Sequence, residues 1–586
     1  MGIELKSIKS PADIKGHSLE ELSALAGDIR VALLEKLSRR GGHVGPNLGF
    51  VEATIALHYV FNSPVDKIIF DVSHQCYTHK ILTGRVAAFI DPEHYNDASG
   101  YTNPDESAHD FFKVGHTSTS ISLASGLAHA RDLQGGHENI IAVIGDGSLS
   151  GGEALEGLDN AGELGSNFIV VVNDNDMSIA ENHGGIYDNL RALRESGGTY
   201  PDNYFRTLGF DYLYVGAGND IGALIKAFES VKDIGHPVVV HINTEKGHGY
   251  SAAVANKEKW HWESPFDVAT ATVFADEVKA PSYADITARL LLDQMVADPR
   301  IVAVNAATPG LMGFTPERRM QAGRRFIDVG IAEEQAAGMS SGLAKGGMRP
   351  FWGVCSTFVQ RAYDQISQDI AINNTPVVIG VINAGFRGLT DVTHLCWFDI
   401  PLLSNIPNIV MLAPASAAEY VAMAKWALQQ TDHPVVIRIP AIVSDIDIPV
   451  SDDYNDLNTF RQISSGSKVA IIAVGLMLTA AMKAAEILRS QGMEPTVINP
   501  RFVSGLDAEM LSALEADHQA VVTVEDGILD GGFGQKVASF YSDRPMLVKC
   551  LGLPKEFLDR YNPDTLAKEC KLTPEGIVDT VNTMWR

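Results

Sequence analysis

Positive charge is scarce in this sequence. Its 46 lysines and arginines stand against 72 aspartates and glutamates in 586 residues, a net charge of −26 with a pI near 5.0. Such a chain repels polyanions and acidic lipid surfaces, so nucleic acid and membrane are excluded as partners. An anionic substrate would need a local cation. Long apolar runs are also missing: none approaches the ~18 residues of a membrane-crossing helix. The opening stretch MGIELKSIKSPADIKG has no apolar segment of the signal-peptide kind. The five cysteines (Cys76, Cys355, Cys396, Cys550, Cys570) are scattered, with no Cys-x-x-Cys pair. That excludes a zinc or disulfide framework and fits a reducing, cytoplasmic setting. Tandem repeats and low-complexity segments are absent too.

The chain does have apolar strands alternating with helices. Residues 18–40 carry leucine and alanine at helical spacing, and Gly41-Gly42 stop that helix just before His43. Short β-branched runs recur, KIIFDVS, NIIAVIGDG, NFIVVVNDN and PVVVHINTEKG, each ending in a polar or glycine-rich loop. This alternation predicts an α/β fold with mainly parallel sheets and functional loops at the carboxyl ends of the strands. The pattern breaks at 266–282 and at the acidic stretch 446–466, read as linkers. Three α/β domains are therefore expected, at 1–265, 283–445 and 467–586.

The strongest local signal is IGDGSLSGGEALEGLDNAGELGSNFIVVVNDNDMSIAEN. Asp146 follows one strand and Asn175 follows the next, 29 residues later. That spacing spans one strand–loop–helix–strand unit and brings a carboxylate and an amide oxygen to neighbouring strand ends. Both are hard oxygen ligands of the kind Mg²⁺ or Ca²⁺ takes. Gly145 and Gly147 let the backbone approach a diphosphate closely.

The arrangement resembles the GDG-to-Asn motif of thiamine-diphosphate enzymes. Further stretches resemble the 1-deoxy-D-xylulose-5-phosphate synthase family, relatives of transketolase: GGHVGPNLGFVEATIALHYVF, FDVSHQCYTHKILTGR, VGHTSTSISLASGLA, TEKGHGY, DVGIAEEQAAGMSSGLA, STFVQRAYDQI and VVTVEDGILDGGFG. They follow one another in the family order over almost the whole chain. The resemblance implies a transketolase-like fold, thiamine diphosphate and Mg²⁺ as cofactors, and a homodimer. It implies that pyruvate is decarboxylated and its two-carbon remainder passed to an aldehyde. Asp146, Asn175 and the carbonyl of Met177 match the metal ligands. His74, His116, Ser118, Gly145, Gly147, Ser148 and Lys246 match cofactor-side positions. Glu333, more than its neighbour Glu334, matches the carboxylate that addresses the aminopyrimidine ring, and Phe358 the aromatic that packs on it. His43, His261 and His394 match histidines near the reacting carbons, where imidazole can carry protons at neutral pH. His79 and Lys80 read equally well as solvated loop residues.

The chain departs from the family on the acceptor side. Asn383 and Ala441 stand where the family pattern has arginines, and Cys355 where it has a tyrosine. Gln335 replaces a family histidine, the loop SGYTNPDES is short and lacks that loop's arginine, and the segment after SIAEN is shortened. Arg387, four residues beyond Asn383, is the one arginine left in that loop and reads as solvated. Two lost bidentate cations point to an altered acceptor. A transketolase-like ketol transferase and a non-catalytic thiamine-diphosphate-binding relative are the competing readings.

Overall fold

The computed structural model describes residues 2–274 and 282–584. They gather into two compact units, Met1–Val278 with Gly330–Ala332, and Lys279–Val329 with Glu333–Arg586.

In the first unit, strands β1 (Lys67–Phe70), β2 (Ile140–Gly145), β3 (Phe168–Asp174), β4 (Asp211–Val215) and β5 (Pro237–Asn243) form a parallel sheet in the order β1-β2-β3-β5-β4. Alternate side chains enter cores on opposite faces: Ile68, Val143 and Val171 on one, Ile69, Ala142 and Val170 on the other. Burial on both faces is why these strands read as continuous apolar runs. β4, at one edge of the sheet, lacks that signature because it stays half-exposed. Ser18 caps the helix Leu19–Arg40 through a reciprocal box with Glu21. A short antiparallel pair, β6 (Phe266–Asp267) and β7 (Thr272–Val273), occupies part of the expected linker 266–282. Residues 275–281 of that linker lie outside the described residues.

The second unit holds two sheets. β8 (Ile301–Asn305), β9 (Phe326–Asp328), β10 (Arg349–Cys355), β11 (Val378–Ala384), β12 (Val410–Leu412) and β13 (Val435–Pro440) are all parallel, in the order β12-β13-β11-β10-β8-β9. β14 (Arg461–Ser464), β15 (Lys468–Ala473), β16 (Thr496–Asn499), β17 (His518–Ile528) and β18 (Leu547–Leu553) follow in the order β14-β16-β15-β17-β18, with only β14 antiparallel to its neighbour. β14 falls inside the stretch 446–466 read as a linker. It is a four-residue edge strand with no apolar alternation to announce it. One apolar cluster joins Val304, Val354 and Ile379 of the first of these sheets to Ile472, Ile498 and Val521 of the second. The architecture is α/β with three mainly parallel sheets, as the alternation predicts. Among the described residues no helix is long and apolar enough to cross a membrane.

Candidate active site

Strands β1, β2, β3 and β5 are parallel neighbours, so their carboxyl ends open on one edge of the first sheet. The loops there carry His74 after β1, Asp146 after β2, Asn175 and Met177 after β3, and Lys246 after β5. Asp146 starts a tight turn, Asp146–Ser150, and is buried. Its Oδ2 accepts from the Met177 N–H at 3.0 Å and from Asn182 Nδ2 at 2.8 Å. Burial, and then the adjacent Asp174, push its carboxyl up to about 7. Asp174 itself is gripped by Arg194 at 2.6 and 2.8 Å and by His241 at 2.8 Å. Asn175 Oδ1 is buried without a hydrogen-bond partner. Lys246 is buried, donates to the Ser178 carbonyl, and is pushed down to about 7 by burial.

The glycines let the loops of this edge pack closely against one another. A Cβ on Gly147 would sit 2.7 Å from Ser178 Oγ, and one on Gly151 2.1 Å from Ser118 Oγ. Ser118 is held in left-handed backbone (φ 73°) because Asp71, at the end of β1, accepts from both Ser118 N (2.8 Å) and Ser120 N (3.0 Å). Ser118 Oγ donates in turn to the Ser148 carbonyl at 2.8 Å. His116 stands half-buried two residues before it.

Three predicted histidines come together. Ring centroids are 4.9 Å apart for His43–His74, 5.2 Å for His74–His261 and 5.6 Å for His43–His261. Gly41 (φ 74°) and Gly42 deliver His43: Gly42 exchanges bonds of 2.9 and 3.0 Å with Glu263, two residues past His261. A Cβ at Gly41 would lie 2.7 Å from the Glu263 carbonyl, so only glycine fits there. Burial, then Lys246, push His261 well below its ordinary value, so its imidazole is neutral. Tyr101 joins the group at 6.0 Å from His43.

His79 and Lys80 are not solvated. Both are fully buried: His79 bonds Asp110 at 2.7 Å and His58 at 2.8 Å, while Lys80 bonds Glu106 at 2.5 Å. Arg85 bonds Asp110 at 2.6 and 2.9 Å. Burial would raise the Asp110 carboxyl, but His79 and Arg85 hold it well below the carboxylate range. These groups tie the loop carrying His74 to the loop 99–110.

In the second unit, Glu333 begins the helix Glu333–Lys345 and is buried. Burial pushes its carboxyl up to about 7 against the pull of Arg361, 3.9 Å away, and its Oε2 has no hydrogen-bond partner. Phe358 follows β10, and its ring lies 5.8 Å from that of His394, edge to face. Burial pushes His394 down to about 4, leaving it neutral, with Thr393 Oγ1 2.8 Å from its Nδ1. Asn383, at the end of β11, is in left-handed backbone (φ 61°). Its side chain and the thiol of Cys396 both bond Cys355, holding that thiol below its ordinary value, the Cys396 bond most of all. Arg387 pairs with Asp564 at 2.9 Å and is only a third exposed, so it is not a free loop cation. Arg438 is buried between Asp399 and Asp526.

Among the described residues no group of three or more His, Cys, Asp and Glu side chains is placed to hold a metal. What the first unit offers is a mixed oxygen set: a buried carboxylate, an amide oxygen that lacks a partner, and a backbone carbonyl. That suits a hard divalent cation carrying a diphosphate. Asp71, Tyr101, Asn182 and Lys257 escaped the sequence reading. Only Asp71, which ends a strand as Asp146 does, left a signal there.

Three family models match the sequence. They are 1-deoxy-D-xylulose-5-phosphate synthase over residues 5–200, the transketolase pyrimidine-binding domain over 279–442 and the transketolase C-terminal domain over 459–577. The chain is 40% identical to the 1-deoxy-D-xylulose-5-phosphate synthase of Caldanaerobacter subterraneus subsp. tengcongensis, over 98% of each chain. It is 39% identical to 1-deoxy-D-xylulose-5-phosphate synthase 1 of Geobacter sulfurreducens, over 98% of this chain and 96% of that one. Among solved structures, transketolase from Leishmania mexicana aligns with 96% of this chain and 97% of its own at 17% identity and a TM-score of 0.44.

Proposed function

The chain belongs to the 1-deoxy-D-xylulose-5-phosphate synthase family, and from that premise we propose that it uses thiamine diphosphate and Mg²⁺ to decarboxylate pyruvate and pass the two-carbon remainder to an aldehyde. The observation that carries the reading is the first unit's strand-end edge. A buried carboxylate and an amide oxygen without a partner stand there on adjacent strands, in the unit that also gathers His43, His74 and His261.

Asp146, Asn175 and the Met177 carbonyl hold the cation. Gly145, Gly147, Ser148, Ser118, His116 and Lys246 take the diphosphate end. When bound, the cofactor supplies the carbon nucleophile and the electron sink for decarboxylation. Glu333, poised near 7 by burial, would be the group that gives or takes a proton at the aminopyrimidine end of the cofactor, and Phe358 would help hold that end. His43, His261 and His394 serve the substrate as hydrogen-bond donors and proton carriers. For His261 and His394 the supporting feature is the ring held neutral by burial at physiological pH, which can offer an N–H hydrogen bond to the substrate. His74 belongs with them at the cofactor. The reading includes a homodimer in the cytoplasm.

For the acceptor, we infer an aldehyde without the phosphate that the family name implies. Asn383, Ala441 and Cys355 replace the residues of the family pattern. Arg387 is paired with Asp564 and Arg438 with two aspartates, so neither is a free cation. The test is a screen of purified protein with pyruvate, thiamine diphosphate and Mg²⁺ against glyceraldehyde 3-phosphate and unphosphorylated aldehydes. Release of CO₂ with a deoxyketose product is expected. No CO₂ with any aldehyde removes the reading. Ketose cleavage without CO₂ makes the protein a ketol transferase, and cofactor binding without turnover makes it a non-catalytic relative.

A further inference from the structure

We propose that Asn182 and Lys257 are positioning residues for the cation half of this site: Asn182 holds the Asp146 carboxylate, and Lys257 holds the Asn175 peptide. The proposal rests on the reading of Asp146 and Asn175 as metal ligands.

Asn182 lies in the loop after β3, seven residues beyond Asn175. Its Nδ2 donates to Asp146 Oδ2 at 2.8 Å, the oxygen that also accepts from the Met177 N–H at 3.0 Å. Two donors on one oxygen lock the carboxylate rotamer and leave Oδ1 to offer a cation. The choice of an amide matters. A lysine or arginine here would neutralise Asp146 and compete with the metal, whereas a neutral donor steadies the charge without cancelling it. The arginine in the neighbourhood, Arg194, is bound to Asp174 and Asp176 instead. Asn182 Oδ1 is itself buried without a hydrogen-bond partner, an acceptor available to a water on the cation.

Lys257 reaches in from the segment between the helix Ser251–Ala255 and the turn Lys259–His261, and its Nζ donates to the Asn175 carbonyl at 3.0 Å. Lys246 does the same for the Ser178 carbonyl. The loop is thus pinned at both ends by lysine side chains. Between the pins lie the two features a cation needs. One is Asn175 Oδ1. The other is the Met177 carbonyl, which accepts no hydrogen bond among the described residues. Pinning the peptide at Asn175 fixes the direction of its side chain, because only χ1 and χ2 remain to be set. Groups one step removed from a metal are worth about 10- to 100-fold in its affinity.

The experiment is calorimetric titration of Mg²⁺ into the full-length protein with thiamine diphosphate in excess, so that binding is read without turnover. Asn182→Ala and Lys257→Met are each expected to raise the Mg²⁺ dissociation constant about 10- to 100-fold. Lys257→Arg is expected to restore it to within a few-fold, with thermal midpoints unchanged throughout. Wild-type Mg²⁺ affinity in Asn182→Ala or in Lys257→Met removes that residue from the assignment. A loss that Lys257→Arg does not reverse overturns the role of Lys257. Asp146→Asn separates the two levels: if it abolishes binding while the other variants bind normally, the proposal fails and the site stands. If it too binds normally, the site reading fails and takes the proposal with it.

Discussion

Replacing Glu333 with glutamine should make the protein more stable at neutral pH and nearly inactive. Burial raises this carboxyl from 4.5 to about 7, with Arg361 opposing. Below pH 4.5 the folded and unfolded chains both carry the proton, and the group does not affect stability. Between 4.5 and 7 the unfolded chain ionises while the folded one keeps its proton, so stability falls as pH rises, by about 1.4 kcal/mol per unit. Above 7 the loss is complete, at about 3 kcal/mol over the two and a half units. Glutamine has the same shape and never ionises, so Glu333→Gln escapes this cost. The variant should match wild type in thermal midpoint near pH 4.5 and exceed it by on the order of 5 °C at pH 8. Asp146 and Glu525, also raised to about 7 by burial, titrate identically in both proteins and cancel in the difference. The assay is a pair of melting curves at each pH without cofactor. Proton exchange at C2 of added thiamine diphosphate, followed by NMR, should fall about 10²- to 10⁴-fold. A midpoint difference that does not change with pH would refute the burial argument. Near-normal exchange would refute the role given to Glu333.

Other expectations follow from single contacts. Asn383→Arg combined with Ala441→Arg should raise kcat/KM for a phosphorylated over an unphosphorylated aldehyde by up to about two to four powers of ten, at ~1.5–3 kcal/mol per charge-assisted bond; an unchanged ratio in steady-state kinetics removes the acceptor reading. Gly147→Ala places a methyl 2.7 Å from Ser178 Oγ and 3.0 Å from Ser178 Cα, and should weaken thiamine diphosphate at least about tenfold by calorimetry. Arg85→Met leaves Asp110 buried without its arginine partner, and should cost about 3–5 kcal/mol in chemical denaturation. A loss below about 1 kcal/mol would mean the network around His79 is not needed to hold that loop.

The strand-end residues were legible because motif and fold coincide there. In a parallel sheet, a polar residue just after an apolar run has one place to go, and Asp146, Asn175 and Lys246 all take it. What stayed hidden was pairing across long stretches of chain. Asn182 bonds a carboxylate 36 residues away and Lys257 a carbonyl 82 residues away, and nothing near either residue names its partner. His79 and Lys80 stay ambiguous in the sequence for the same reason: a histidine and a lysine after a strand read as well for solvated residues until Asp110 and Glu106, from another loop, pair with them. The edge strands β4 and β14 escaped because half-exposed strands lose the apolar run that marks a buried one.

The apolar cluster that joins Val304 and Ile379 to Ile472 and Val521 bears on how this protein can be taken apart. Cutting the chain in the acidic stretch 446–466, where the sequence invites it, would strand half of that core in water on each fragment and remove β14 from its sheet. The C-terminal fragment should not fold in isolation, and hydrogen exchange should show both sheets of the second unit opening in one cooperative event. The C-terminal region is therefore not an exchangeable module, and chimeras with relatives should keep the two sheets of the second unit together.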